Sequence, residues 1–297
     1  MNRILSSKKN ILVFMLPASL IFLSVMIIPI VATTYYSTLD WDGIGRGTFV
    51  GLENYFKIMG KNAYNFWPSV GHSFIVLLLS VLVQEPIAMV LALILGKGIK
   101  GESFFRTTFF IPMVVSTVVI AQLFIKVYHP QYGLLNVFLD TLGLDFLRQE
   151  WLADKGTALW AVFIPLIWQY IGYHMLLYYG AIKSVSTEVV EAAKIDGANY
   201  FQISTRILIP LITPVIETCV VIAVVGSLKT FDFVYIMTNG GPLGATDVPS
   251  TVMYDLLIKR NLYGQGSMVA VFIVAECLLF TVVLQTVFKK LRNTGGE

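Results

Sequence analysis

Six stretches of this chain, at about residues 11–36, 69–95, 107–128, 157–182, 211–236 and 267–290, carry enough apolar side chains to cross a hydrocarbon layer. About 20 such residues span a bilayer core as a helix. In that solvent every backbone N–H and C=O has to find its partner within the protein, which leaves helices and closed barrels as the spanning forms. The six runs predict an all-α, polytopic membrane protein with six transmembrane helices. Composition agrees, since 13% of residues are charged against about 25% in soluble domains. The first run follows Arg3, Lys8 and Lys9 and continues to Tyr36 without a small-residue cleavage site, so it reads as a retained helix rather than a removed signal.

Lysine and arginine set the orientation. One side collects Arg3, Lys8, Lys9, Lys97, Lys100, Arg106, Lys183, Lys194, Arg206, Lys289, Lys290 and Arg292. The other holds Arg46, Lys57, Lys61, Arg148, Lys155, Lys259 and Arg260. Short positively charged loops stay inside, and twelve against seven places both termini in the cytoplasm. The outer loops, about 37–68, 129–156 and 237–266, are too short for an independent core. Asn239-Gly240-Gly241-Pro242 is a break that no helix traverses.

The cytoplasmic stretch at about 183–210 is polar and patterned. Ser186 or Thr187 can cap a helix that carries Glu188 in its first turn, at the positive end of the dipole. Asp196-Gly197 ends it, glycine suiting a left-handed C-terminal turn. Asn199 can cap a second short helix, with Gln202 placed for a capping box. Tyr200, Ile203 and Ile207 line one face of that helix, and Pro210 and Pro214 redirect the chain into the fifth run. A rigid helix–turn–helix of this kind is suited to helix-in-groove docking.

Glu191-Ala192-Ala193, three residues, Gly197, nine residues and Ile207-Leu208-Ile209-Pro210 together resemble the EAA motif of binding-protein-dependent ABC importers, with Ile209 in place of the usual leucine. The likeness extends along the chain. Gly51-Leu52-Glu53-Asn54-Tyr55, Phe105-Arg106 through Pro112, Gly133-Leu134-Leu135-Asn136, Trp151-Leu152, Phe231-Asp232 and Thr238-Asn239-Gly240-Gly241-Pro242 resemble the sugar-type permeases of these importers, of the shorter multiple-sugar, lactose or glycerol-phosphate kind.

The resemblance implies a type I ABC importer permease fold, with a cytoplasmic segment at 1–10, a permease domain at 11–290 and a tail at 291–297. Glu191, Ala192, Ala193, Asp196, Gly197, Ile207 and Pro210 become the ATPase-coupling residues. It implies a second, homologous permease, two ATPase subunits that hold ATP and Mg, and an extracytoplasmic solute-binding protein that delivers a sugar or oligosaccharide. The setting implied is a prokaryotic cell membrane, with lipid as a contact and no nucleic acid. No Gly-x-x-x-x-Gly-Lys-Ser/Thr occurs, so ATP hydrolysis is expected on other chains. The chain is expected to be non-catalytic and to hold no cofactor. Cys219 and Cys277 fall in apolar runs, and His72, His129 and His174 are scattered, without metal-ligand spacing.

Charged groups inside spans are functional candidates. Glu85, Glu217 and Glu276 lie in runs two, five and six, and Lys229 and Asp232 lie three residues apart in run five. Together with the aromatic and polar groups of run four they give a candidate substrate path: Trp168, Gln169, Tyr173, Glu217, Lys229 and Asp232. Two alternatives stay open. The same machine can carry a glycerol phosphate, polyol or glycoside. An ion-coupled secondary transporter or channel would use the intramembrane carboxylates, but it should show an internal repeat, and none is visible.

Overall fold

The computed structural model describes the backbone of residues 8–294 and the side chains from Val13 to Asn293. Arg3 and the outer parts of the segments expected at 1–10 and 291–297 lie outside the described residues. Among the described residues, five helices are long and apolar enough to span a membrane, and a bent pair makes a sixth. They are α1 (Val13–Tyr36), α2 (Ala63–Gly96), the pair α3 (Glu102–Val114) and α4 (Thr117–Val127), α6 (Ala158–Ser184), α9 and α10 (together Thr213–Met237), and α12 (Tyr263–Asn293). Between α4 and α6 lies α5 (Leu134–Thr141). After α6 come α7 (Thr187–Ile195) and α8 (Tyr200–Ile203), and α11 is Pro249–Tyr254.

Several long helices widen locally into π turns, and three of these turns end two residues before a proline. Leu23–Ile27 precedes Pro29, Ser80–Gln84 precedes Pro86, and Ser204–Leu208 precedes Pro210. Proline lacks an N–H and its ring collides with the carbonyl four residues back. A π turn opens the ladder there and lets the helix continue.

By their contacts the residues fall into two units, one through Tyr64 with Val252–Val274 and one of Asn65–Thr251 with the chain from Ala275. In the first, strands β1 (Leu39–Asp40) and β2 (Thr48–Phe49) pair antiparallel. Asn54 is 1% exposed, and its amide donates to the Ser37 and Leu39 carbonyls at 2.9 and 2.8 Å. The Gly51–Tyr55 string therefore anchors this loop. Gly264 lets α12 pass so close that a Cβ there would lie 1.9 Å from the Leu39 carbonyl oxygen.

The second unit is built around α6, whose apolar faces pack on Val76, Ile120, Ala121, Phe233 and Val234 at one end and on Ala88, Ala92 and Leu95 at the other. The outer strings meet here too. Asn136 donates to the carbonyls of Pro130 and Gln149, both at 3.0 Å, and accepts from the Trp151 indole at 2.8 Å.

Two of the expected spans are interrupted. Run 107–128 is broken: α3 and α4 meet at 93°. Val115 and Ser116 are extended, with ψ of 138° and 133°. The sequence Val114-Val115-Ser116-Thr117-Val118-Val119-Ile120 is rich in β-branched residues that favour extended backbone, and Pro112 has already removed one donor from the last turn. Run 211–236 also breaks, α9 ending at Leu228 and α10 starting at Asp232. Run four, despite Pro165, Gln169 and His174, is one unbroken helix.

The first break is satisfied by α6. Gln169, 2% exposed, donates to the carbonyls of Pro112 and Val115 at 3.3 and 3.1 Å and lies 3.5 Å from the Thr117 hydroxyl. One turn away, Gly172 admits the α3 backbone so closely that a Cβ would sit 1.9 Å from the Phe109 oxygen. Replacing Gln169 with leucine should strand two carbonyls and destabilise the protein by about 1–3 kcal/mol, read as a lowered melting midpoint in detergent. An unchanged midpoint would contradict the role given to this amide.

Candidate functional site

The loop after α6 forms as its capping residues dictate. Ser186 Oγ accepts from the Glu188 N–H at 3.3 Å. At the far end of α7 the Ala198 N–H reaches the Ala193 carbonyl and the Gly197 N–H reaches that of Lys194, at 3.0 and 3.1 Å. This is the Schellman arrangement, with Gly197 at φ +81°. Asn199 and Gln202 form the reciprocal capping box, at 2.9 and 2.8 Å.

Two faces separate. Inward, Ala193, Ile203 and Leu208 are buried with Ala88, Ala92, Met175, Tyr178 and Ile182, and Ile207 packs at the edge of this group. The Tyr200 hydroxyl donates to the Leu93 carbonyl of α2, and Lys97 sits 5.2 Å over its ring. Burial raises the Tyr200 phenol above its ordinary pKa, so it remains a donor. Outward, Glu191, Ala192, Asp196, Gly197 and Pro210 are exposed. Ile195 at 86% and Phe201 at 75% exposure stand beside them with Val189. The composition of the loop did not single out these last three, although large apolar side chains on the polar face of a capped helix are a readable signal.

The second feature is a cavity of about 560 Å³ lined by α2, α4, α6, α9, α10 and the 229–231 break. Its volume lies within the range of small-ligand sites. Ser80 and Gln84 enter it from the π turn of α2, Thr117 from the start of α4, and Tyr170, Tyr173 and His174 from α6. Lys229, Thr230, Phe231 and Asp232 close it at the break. Phe231 stacks on Tyr235 at 5.0 Å. Ser227 Oγ lies 2.9 Å from Ser80 Oγ and ties α9 to α2. Gln84 is 2% exposed.

Of the six residues expected along a substrate path, Tyr173, Lys229 and Asp232 line this cavity. The other three lie outside its lining. Gln169 is committed to the broken span. Trp168 is 45% exposed on the other side of α6, its ring 5.9 Å from Phe124. Glu217 lies on α9 below the lining residues. Lys229 and Asp232 do not share a helix face as their spacing suggested, because the helix ends between them, and no ion pair joins them among the described residues. Gln84, Ser80 and Thr117 were missed, since an isolated polar residue in an apolar run does not announce which way it points.

Residues 86–293 match the family described as binding-protein-dependent transport system inner membrane component. A probable ABC transporter permease protein of Bacillus subtilis, YurN, is 34% identical over 287 residues, 96% of each chain. The trehalose/maltose transport system permease protein MalF of Thermococcus litoralis is 31% identical over 273 residues, 90% of each chain. The fold matches a chain of a bacterial alginate ABC transporter crystallised with a pentasaccharide-bound periplasmic protein, with a TM-score of 0.83, 23% identity and 96% coverage of both chains.

A single cysteine at Gln84 or Lys229, in a chain with Cys219 and Cys277 replaced by serine, should react with a membrane-impermeant, water-soluble maleimide. If the Trp168 face of α6 meets lipid, a cysteine there should react at least about tenfold more slowly, since hydrocarbon does not admit such a reagent. Equal labelling at Trp168 and Gln84 would mean that the cavity is not the aqueous surface.

Proposed function

The chain belongs to the binding-protein-dependent transport system inner membrane component family, and from that membership we propose that it forms half of the membrane path of an ATP-driven sugar importer. It is a multi-pass membrane protein and a permease, the non-catalytic part of such a machine. Under this proposal it pairs with a second permease in the prokaryotic cell membrane. Two ATPase subunits, carrying ATP and Mg, dock on its 183–210 loop, and a solute-binding protein delivers the cargo from outside. Both termini then lie in the cytoplasm, on the side of that loop.

The observation that carries the coupling half is the division of the loop into two faces. The outer ridge of Val189, Ile195 and Phe201 beside Glu191 and Ala192 is uncovered apolar surface at a rigid, doubly capped turn. Helix-in-groove binding requires such a surface. The inner face is bonded to α2 through Tyr200, so a displacement of the ridge is delivered to a helix that lines the cavity.

The cargo half rests on the cavity wall. Tyr170, Tyr173 and Phe231 offer aromatic surface, while Gln84, Ser80, Thr117 and Thr230 offer neutral hydrogen-bonding groups. Sugars present apolar ring faces edged with hydroxyls, which suits this mixture. The Thermococcus relative is named for trehalose and maltose, which agrees. A glycerol phosphate is favoured less, because Lys229 is the one lysine or arginine on the wall and Asp232 lies close by.

Three substitutions test this. Phe201→Glu should weaken ATPase-subunit binding by about 2 kcal/mol or more, roughly 30-fold, if the ridge is a docking anchor. Gly197→Pro should leave the protein inserted and uncouple uptake, since proline cannot adopt a φ of +81°. Tyr173→Ala should raise the KM for uptake of a maltose or trehalose probe without loss of ATPase assembly. Normal co-purification of the ATPase with Phe201→Glu, or normal uptake by Gly197→Pro, would sink the docking assignment.

A further inference from the structure

At the cavity wall, three helices bring together three side chains, of which only His174 reaches the cavity. Glu85 on α2, His174 on α6 and Cys219 on α9 are 5%, 2% and 0% exposed. Their nearest ligand atoms, one from each residue, all lie within 4.8 Å of one another. They are 89 and 45 residues apart in the chain, which is why sequence spacing gives no metal signature.

The polar atoms of this cluster are incompletely satisfied. His174 Nδ1 lies 2.7 Å from Glu85 Oε1, yet the contact lacks hydrogen-bond alignment and both atoms are sealed off without another partner. The other Glu85 oxygen accepts from the buried Tyr178 hydroxyl, the kind of outer contact that fixes a carboxylate as a ligand. Ala88, Ala92 and Met175 surround the cluster with apolar surface.

We propose that Glu85, His174 and Cys219 form a binding site for a divalent transition-metal cation of the zinc class. The donor set is one carboxylate oxygen, one imidazole nitrogen and one thiolate sulfur, all of which zinc accepts. Bonds of about 2.0–2.3 Å to such atoms place tetrahedral ligands about 3.3–3.6 Å apart. The proposed site requires small side-chain rotations to bring the three donors to that spacing. Binding releases the Cys219 thiol proton, and the dication then balances one carboxylate and one thiolate. The loaded site is neutral, which a membrane interior favours over an isolated charge. His174 also lines the cavity, which gives the ion a route in. A metal held there cross-braces α2, α6 and α9, three of the helices that make the cavity wall.

The test uses the full chain purified in detergent, treated with a chelator and titrated with Co²⁺ alone. One equivalent should produce a near-ultraviolet thiolate-to-cobalt charge-transfer band and the visible bands of a low-coordinate site. Cys219→Ser, nearly isosteric, should abolish the charge-transfer band while the protein keeps its elution volume. His174→Gln and Glu85→Gln should weaken Co²⁺ binding at least about tenfold, and Cys277→Ser should leave the spectrum unchanged. Absence of the band in the unaltered chain, or its survival in Cys219→Ser, would overturn the site and leave Glu85 and His174 as a buried polar contact.

Discussion

The architecture depends on how one side chain settles a debt of backbone hydrogen bonds inside hydrocarbon. A span that turns through 93° cannot complete its own ladder, and lipid offers no donor. Gln169 of α6 supplies the missing N–H groups to Pro112 and Val115, and Gly172 one turn away permits the backbone contact that brings them within reach. Because the bend holds, α4 begins with Thr117 at the cavity wall. The helix that fixes the bend also supplies Tyr170, Tyr173 and His174 to the same wall. A single amide thus links the fold to the site.

Movement between the loop and the cavity has a physical route. Phe201 and Ile195 stand on the outside of the loop, and Ile203 and Tyr200 stand on the inside. Ile203 is packed with Ala88, Ala92 and Leu95 of α2. Farther along α2, the π turn before Pro86 carries Ser80 and Gln84 into the cavity. Close packing transmits displacement because interiors are nearly incompressible. The π turn sits where the ladder is already widened, so it is the place on α2 where a change in pitch is least opposed.

Much of this was legible in the chain. Long apolar runs give spans because length and hydropathy are the whole requirement for crossing a bilayer. Ser186, Gly197 and the Asn199–Gln202 pair give the loop because caps are local chemistry. The breaks at Val115–Ser116 and Lys229–Phe231 were not legible as breaks. Each depends on a partner far away in sequence or on a wall that exists only in the folded state. Gln169 shows the ambiguity most clearly. A glutamine in a membrane span has the same composition whether it meets a sugar or a carbonyl, and only the position of α3 decides. Trp168, one residue earlier, points away for the same geometric reason.

The second break has the opposite logic from the first. At Val115–Ser116 the freed carbonyls are covered by protein, which makes that bend a structural joint. At Lys229–Phe231 the interrupted backbone and its side chains face the cavity, as interrupted helices do where irregular backbone lines a water-filled space. Hydroxyls of a sugar both donate and accept, so a wall of mixed amide, hydroxyl and backbone groups can meet them without a matching charge. One lysine with an aspartate three residues on makes this wall nearly neutral. A dianionic phosphate placed there would leave charge uncompensated at low dielectric, whereas an uncharged glycoside would not. The two breaks thus differ in kind: one is closed by protein, and the other faces the cavity at the junction of α9 and α10.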